Sequence, residues 1–246
     1  MFSKLKASIL AQDFYPGGLG LLTNPFYFAR KGLHEHIVEL APAVRGRILD
    51  VGCGSKPYQK YFAASEYIGL EMEKLNKHAD HHYDGKTFPF NDGEFDSVLT
   101  SQVLEHVFNP DEFLSEINRV LRDGGVLLLT VPFVWDEHEQ PFDYARYSSF
   151  GLNHLLKIHG FEISEQKKSM DDARVIFQMI NAYIYKKTIT RNRKLNLLIT
   201  LFLMAPFNIV GEFVSKILPR NSDLYLDNIV LARKTNRSLP SVGIKE

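Results

Sequence analysis

The sequence predicts an α/β fold: an open, mostly parallel, doubly wound sheet with helices on its faces. Three observations carry this. Ile48-Leu49-Asp50-Val51-Gly52-Cys53-Gly54 is an apolar run feeding a glycine turn. A second apolar run, Tyr67-Ile68-Gly69-Leu70-Glu71, ends on an acid twenty-one residues after Asp50. Further short apolar runs follow, alternating with stretches of helical periodicity. Such sheets bind ligands at the carboxyl ends of their strands. A glycine turn there lets backbone approach the ligand, and a carboxylate on the next strand can accept both hydrogen bonds of a ribose diol. The pairing predicts nucleoside binding, with Gly52 and Gly54 as the positions where a side chain would obstruct the ligand.

The turn argues against a dinucleotide. That pattern needs G-x-G-x-x-G, its third glycine allowing close helix packing. Here Ser55-Lys56-Pro57 follows Gly54, and Pro57 suits the opening turn of a helix.

The remaining elements follow in order. Met1–Leu10 mixes two lysines and two serines with short apolar stretches, which does not read as a signal peptide. Asn24-Pro25 starts a helix reaching about Leu40, with Phe28, Leu33, Ile37 and Leu40 on its buried face. His81-His82-Tyr83 is a short third strand with Asp84 at its end, and Asn91-Asp92-Gly93 is turn chemistry before the buried strand Glu94–Thr100. Asn109-Pro110 opens a helix with Asp111 and Glu112 in its first turn and Phe113, Leu114, Ile117, Val120 and Leu121 on its apolar face. Gly124-Gly125 stops that helix, and Val126–Pro132 is the fifth strand. Ser148-Ser149 caps a helix to about His159, Phe161-Glu162-Ile163 begins a sixth strand, and Leu224–Arg233 is a seventh.

Taken together, Asp50-Val51-Gly52-Cys53-Gly54, Glu71, Asp84 with Phe88-Pro89-Phe90, Phe95-Asp96, Leu104-Glu105-His106 and Glu116–Gly125 resemble the class I S-adenosylmethionine-dependent methyltransferases. The likeness is greatest to the small-molecule group with a Leu-Pro-Phe-type loop after strand three, here Phe-Pro-Phe. The resemblance implies a Rossmann-like, seven-stranded sheet of order 3-2-1-4-5-7-6 with strand 7 antiparallel, and a helical insertion between strands 6 and 7. It implies S-adenosylmethionine as cofactor. Asp50, Gly52 and Gly54 would border its methionine part, Glu71 its ribose, Asp84 its adenine, and Ser101 and Gln102 the methionine or the transferring methyl. It also implies a leading segment that helps cover the cofactor, with Tyr15, Phe26 and Tyr27 as candidate lining.

Composition fits a cytoplasmic enzyme. Lysine plus arginine equals aspartate plus glutamate at 29 each, which argues against bulk nucleic-acid binding. The single cysteine, Cys53, cannot form an internal disulfide, as in a reducing compartment. No base stands near it in sequence, so it reads as a small packed side chain. The histidines, including His34, His36, His81 and His82, show no metal-ligand spacing, and no metal is expected.

The acceptor is expected on the loop Phe133–Tyr147, which leaves a central strand and is rich in aromatic and ionisable residues. Methyl transfer from a sulfonium is a direct displacement, so alignment matters most and can be worth on the order of 7–11 kcal/mol. An oxygen acceptor also needs a base. His138 is the first candidate and His106 the second; a solvated loop histidine and a helix-entry residue are the plain alternatives. Asp143 belongs with the catalytic candidates, and Trp135, Arg146 and Tyr147 with the substrate candidates. Asp143 and Arg146 could equally pair with each other.

Residues 173 to 211 contain no Asp or Glu. The basic Arg174, Lys186, Lys187, Arg191, Arg193 and Lys194 precede a fourteen-residue apolar run, Leu197–Val210, interrupted by Pro206 and Asn208. A spanning helix needs about 20 apolar residues, so a span is not expected. The segment could instead meet an anionic membrane through 186–218 at the inner face, cover the acceptor pocket, or form a homodimer interface. The expected organisation is a helical lid at 1–45, a methyltransferase core at 46–169 and 221–234, an insertion at 170–220 and a flexible tail at 235–246. The function read from these residues is methyl transfer to a small-molecule or glycan- or lipid-linked acceptor at oxygen. The rival readings are a non-catalytic cofactor-binding or membrane-docking partner protein, and a nucleotide-dependent oxidoreductase.

Overall fold

The computed structural model describes residues 8–235. The chain divides into two compact units. The sheet unit comprises Ile37–Pro132, His138–Lys167 and the chain from Asn228. The helical unit comprises the chain up to His36, Phe133–Glu137 and Lys168–Asp227.

The sheet has seven strands: β1 (Arg45–Val51), β2 (Ala63–Met72), β3 (His81–Tyr83), β4 (Phe95–Ser101), β5 (Leu121–Pro132), β6 (Phe161–Lys168) and β7 (Asp227–Lys234). Their order is β3-β2-β1-β4-β5-β7-β6, with β7 antiparallel, as expected. β1 is central, paired in parallel with β2 (Asp50 beside Gly69) and with β4 (Asp50 beside Leu99). Its last four residues are buried, as a strand covered on both faces requires.

Two helices of the sheet unit form as their caps predict. In α2 (Pro110–Val120) the Asn109 side chain accepts from the Glu112 N–H, and Phe113, Leu114, Ile117 and Val120 are buried against the sheet. In α3 (Ser149–Ile158) the Ser148 hydroxyl accepts from the Gly151 N–H. Two local expectations fail. The helix after β1 is a single 3₁₀ turn, Gln59–Tyr61, and extended chain resumes at Leu121, before Gly124-Gly125 rather than after it. The glycines lie within β5, where its register with β4 slips between Phe95 and Ser97 and Gly124 has φ +70°.

The helical unit is built around α1 (Tyr27–Leu40, of which Tyr27–His36 belongs here), α4 (Arg174–Thr188), α5 (Arg193–Ile199) and α6 (Ala205–Val214). Its interior is unusually polar. The buried Gln178 of α4 accepts from the N–H groups of Phe28 and Ala29 at 3.1 and 3.2 Å. It thereby satisfies first-turn donors of α1 that no intrahelical carbonyl can reach. Asn181 donates to Asn208 at 2.8 Å, and Asn208 donates to the carbonyls of Leu21 and Asn24.

Pro206 does not break the helix. α5, a π-turn at Thr200–Met204 and α6 form one continuous helix of 22 residues, Arg193–Val214. The wide turn bonds Ala205 N–H to Thr200 carbonyl, so the chain re-registers just before the proline, which then falls in the opening turn of α6. By length and composition alone this helix is long and apolar enough to cross a membrane, which the interrupted apolar run did not suggest.

The candidate cofactor and acceptor sites

The ends of β1, β2 and β4 build the first site. Gly52 N–H donates to Leu70 carbonyl at 2.9 Å, drawing the turn over β2. Gly52 and Gly54 have φ +73° and +48°, where a side chain strains the backbone. Their surroundings differ. A Cβ on Gly52 would stand 2.2 Å from Val103 Cγ2, whereas one on Gly54 would meet nothing within 4 Å. Gly52 is thus required by packing of the turn against the end of β4, not by ligand approach. Gly54 is the position with open space in front of it.

Glu71 is buried, 8% exposed, and its Oε2 stands 3.4 Å from the Gly54 N–H. An open cleft of roughly 550 Å3 lies there, lined by Gly54, Ser55, Lys56, Leu75, Asn76 and His78. Asn76 Nδ2 donates to Gly54 carbonyl at 2.6 Å and holds the cleft's far wall to the turn. Asp50 is buried behind the turn and accepts from the Tyr67 hydroxyl at 2.7 Å. Burial pushes the Asp50 carboxyl up to about 7; the Tyr67 hydrogen bond and Lys56 oppose that rise, and Glu71 adds to it. Burial, then the charges of Asp50 and Glu71, push the Cys53 thiol up to about 12. It is therefore a protonated, packed side chain rather than a nucleophile. Lys56 pairs with Asp80, which also accepts from Gly69 N–H at 2.6 Å.

Asp84 closes its own loop, its Oδ1 accepting from the N–H groups of Lys86 and Thr87 at 2.9 and 3.1 Å. At the end of β4, Ser101 and Thr130 hydroxyls lie 2.9 Å apart and Gln102 N–H donates to Thr130 carbonyl at 3.0 Å. Gln102 has φ +58°, a left-handed conformation that costs a non-glycine residue free energy and tends to gather at functional sites.

The second site brings together segments far apart in sequence. Tyr144 N–H donates to Glu105 carbonyl at 2.8 Å, fastening the loop after β5 to the turn after β4. His106 and His138 rings then lie 4.8 Å apart in edge-to-face contact. His106 Nδ1 donates to Phe142 carbonyl at 2.8 Å, which leaves Nε2 as its acceptor nitrogen. His138 Nδ1 faces Asp143 Oδ2 at 3.2 Å. Arg146 grips both oxygens of Asp143 at 2.5 and 2.7 Å, so these two residues do pair. Burial works to raise the Asp143 carboxyl, but Arg146 and the His138 N–H outweigh it and hold the group down at about 2. Asp143 is therefore an anion near neutral pH rather than a proton acceptor. Glu105, His106 and His138 also present donor atoms within 4.8 Å of one another, a carboxylate–imidazole grouping that sequence spacing did not reveal. Tyr147 adjoins the site's last turn, its carbonyl accepting from Asn228. Trp135 belongs to the helical unit, where its ring meets Phe26 edge-on at 5.8 Å.

The sheet order and the glycine turn facing a buried acid define the class I S-adenosylmethionine-dependent methyltransferase architecture. Comparison with known proteins agrees. Residues 49–129 match a family described as a methyltransferase domain. A probable S-adenosylmethionine-dependent methyltransferase of Mycolicibacterium smegmatis is 30% identical over 165 residues, covering 59% of this chain and 63% of that protein. An uncharacterized chloroplastic methyltransferase of Arabidopsis thaliana is 26% identical over 155 residues, 54% of this chain and 42% of that one. The chain thus spans less than two thirds of the length of these relatives. Among solved structures, the [4+2]-cyclase SpnF has TM-score 0.57 at 19% identity, covering 95% of this chain and 92% of its own. Phosphoethanolamine N-methyltransferase 2 of Haemonchus contortus, in complex with S-adenosyl-L-methionine, has TM-score 0.52 at 16% identity, covering 93% and 57%. Residues 49–129 are thus similar to a methyltransferase domain, and the fold is that of the class I S-adenosylmethionine-dependent methyltransferases. That the [4+2]-cyclase SpnF shares the architecture shows that fold alone does not assign a reaction.

Proposed function

We propose that this chain transfers a methyl group from S-adenosylmethionine to an oxygen of a small-molecule acceptor, including glycan- or lipid-linked ones, in the cytoplasm. The observation that carries the reading is the buried Glu71 carboxylate beside the N–H of Gly54, a residue that lines an open cleft. A carboxylate there suits a ribose diol because it accepts twice and donates nothing. Gly54 leaves room for the sugar, Asp50 is an acid placed for an ammonium or sulfonium group, and Ser101 and Gln102 border the methyl end. Asp84 is assigned to the adenine side. S-adenosylmethionine supplies an already activated methyl group.

The acceptor side follows from the His138 geometry. Asp143 and Arg146 both reach His138 Nδ1, at 3.2 and 3.4 Å, and Nε2 is the nitrogen assigned to take the acceptor's proton. When bound, S-adenosylmethionine would give its methyl carbon to the acceptor oxygen and keep the electron pair of the broken carbon–sulfur bond on sulfur. The acceptor's proton passes to His138 Nε2. His106 stands beside it, and Asp143 and Arg146 hold the imidazole's orientation. Trp135, Arg146 and Tyr147 are assigned to acceptor binding. A nucleotide-dependent oxidoreductase is disfavoured by the Ser55-Lys56-Pro57 exit of the turn. Titration calorimetry with S-adenosylhomocysteine and with NAD tests the reading: micromolar binding of the first and none of the second is expected, and the reverse preference overturns it.

A further inference from the structure

The long helix of the helical unit has its polarity reversed. Its buried face is partly polar: Thr200, Met204, Ala205, Asn208 and Gly211. At Gly211 a Cβ would stand only 2.9 Å from the Phe28 ring. Its outward face is apolar: Leu195, Leu198, Phe202, Ile209 and Phe213 recur at helical spacing, with Phe202 74% and Phe213 65% exposed. Pro206 and Val210 fill the line between them. At 1.5 Å per residue the stripe from Leu195 to Phe213 is about 27 Å long. A water-facing helix normally shows the opposite arrangement. Only 28% of the helix's apolar window is buried.

Charge identifies the covering partner. Lys186, Lys187, Arg191, Arg193 and Lys194 lie immediately before and at the start of this helix, within a stretch that holds no acid from 173 to 211. Lys186 pairs with Asp136 at 2.8 Å. Among the described residues the other four are in no ion pair. A second copy of this chain would bring the same cations and the same acid-free stretch to the contact, so it offers poor charge complementarity. An anionic lipid surface offers both an apolar layer and phosphates. The helix also cannot leave its unit to span the bilayer cheaply. Its inner side carries Asn208 and Glu212, and Glu212 pairs with Lys31 at 2.8 Å; all would enter hydrocarbon.

We infer that the outward stripe of the 193–214 helix and the cations from Lys187 to Lys194 form a docking surface for an anionic membrane, with the helix lying in the interfacial plane. Its apolar side chains enter the acyl boundary and its cations stay at the phosphates. The inference stands independently of the methyl-transfer reading. Each cation near such a surface contributes about fivefold in partitioning.

Flotation of the full chain with phosphatidylcholine vesicles, with and without phosphatidylglycerol, tests it. The chain is expected to float with the anionic vesicles at low salt and to be released by high salt. Replacing Arg193 and Lys194 with serine is expected to weaken binding about 25-fold. Phe202→Ser with Phe213→Ser is expected to abolish it, with unchanged melting temperature because both rings are exposed. Failure to float with anionic vesicles at low salt overturns the inference. So does equal binding to neutral vesicles, binding that only detergent reverses, or a dimer that the Phe202→Ser variant alone dissociates.

Discussion

Glu71→Ala is the sharpest perturbation of the cofactor site. In the free protein the carboxylate has little structural work: its Oε2 reaches Gly54 N–H at a long 3.4 Å, and its Oε1 meets only the adjacent Met72 N–H. Removing it should leave the melting temperature within a degree or two. In the complex it would accept both ribose hydroxyls. A hydrogen bond to a charged group is worth about 1.5–3 kcal/mol, so two lost together cost about 3 kcal/mol at the low end, roughly 150-fold in affinity. Glu71→Gln retains one acceptor oxygen and should lose about tenfold. Calorimetric titration with S-adenosylhomocysteine reads both variants. Affinity of Glu71→Ala within threefold of wild type, with the fold intact, would refute the ribose assignment.

Other perturbations separate the roles of neighbouring residues. Gly52→Ala, forced onto Val103 at positive φ, should cost about 3 kcal/mol of stability, read by chemical denaturation. Gly54→Ala has open space, so it should cost only about 1 kcal/mol of stability but reduce S-adenosylhomocysteine affinity far more. The Asp50 carboxyl, raised by burial to about 7, should be anionic when it meets the cofactor's positive charge. Binding should therefore tighten about tenfold from pH 6 to pH 8, and Asp50→Asn should flatten that profile in calorimetry. The same raised value means that Asp50's ionisation costs folding stability. Its contribution is most favourable below pH 3.8, declines as pH rises to about 7 and is constant above. Asp143 has the opposite sign. Held at about 2 by Arg146, it contributes stability above its unfolded value near 3.8 that is lost as pH falls through 2. Asp143→Ala strands Arg146 and should cost about 3 kcal/mol at pH 7, read by thermal melting. His138→Ala should reduce kcat at least about 100-fold with little change in cofactor affinity, measured with radiolabelled methyl donor once an acceptor is in hand.

Much of the sheet unit was legible in the sequence because its signals are local. Apolar runs with turn residues marked β1, β2 and β4, and the Asn109-Pro110 cap placed α2 within its first turn. The spacing of Asp50 and Glu71 put two acids at adjacent strand ends, which parallel pairing made neighbours. What stayed hidden depended on tertiary contacts. His106 and His138 meet only because Tyr144 N–H reaches the Glu105 carbonyl, and no periodicity encodes that loop path. The need for glycine at position 52 was visible, but its cause, Val103 at the end of β4, was not. The full length of the helix through Pro206 was not legible, because a π-turn absorbs the proline without ending the helix. The polar interior formed by Gln178, Asn181 and Asn208 inverted the usual inference from hydrophobic pattern to buried face. The expected tail beyond Thr235 lies outside the described residues.

The account rests on where an adenosine would sit. A crystal structure of the chain soaked with S-adenosylhomocysteine measures that directly. It is predicted to show both ribose hydroxyls within hydrogen-bonding distance of the Glu71 carboxylate, the sugar over Gly54, and the sulfur directed toward Gln102. Ligand bound elsewhere, or a ribose that leaves Glu71 untouched, would contradict it.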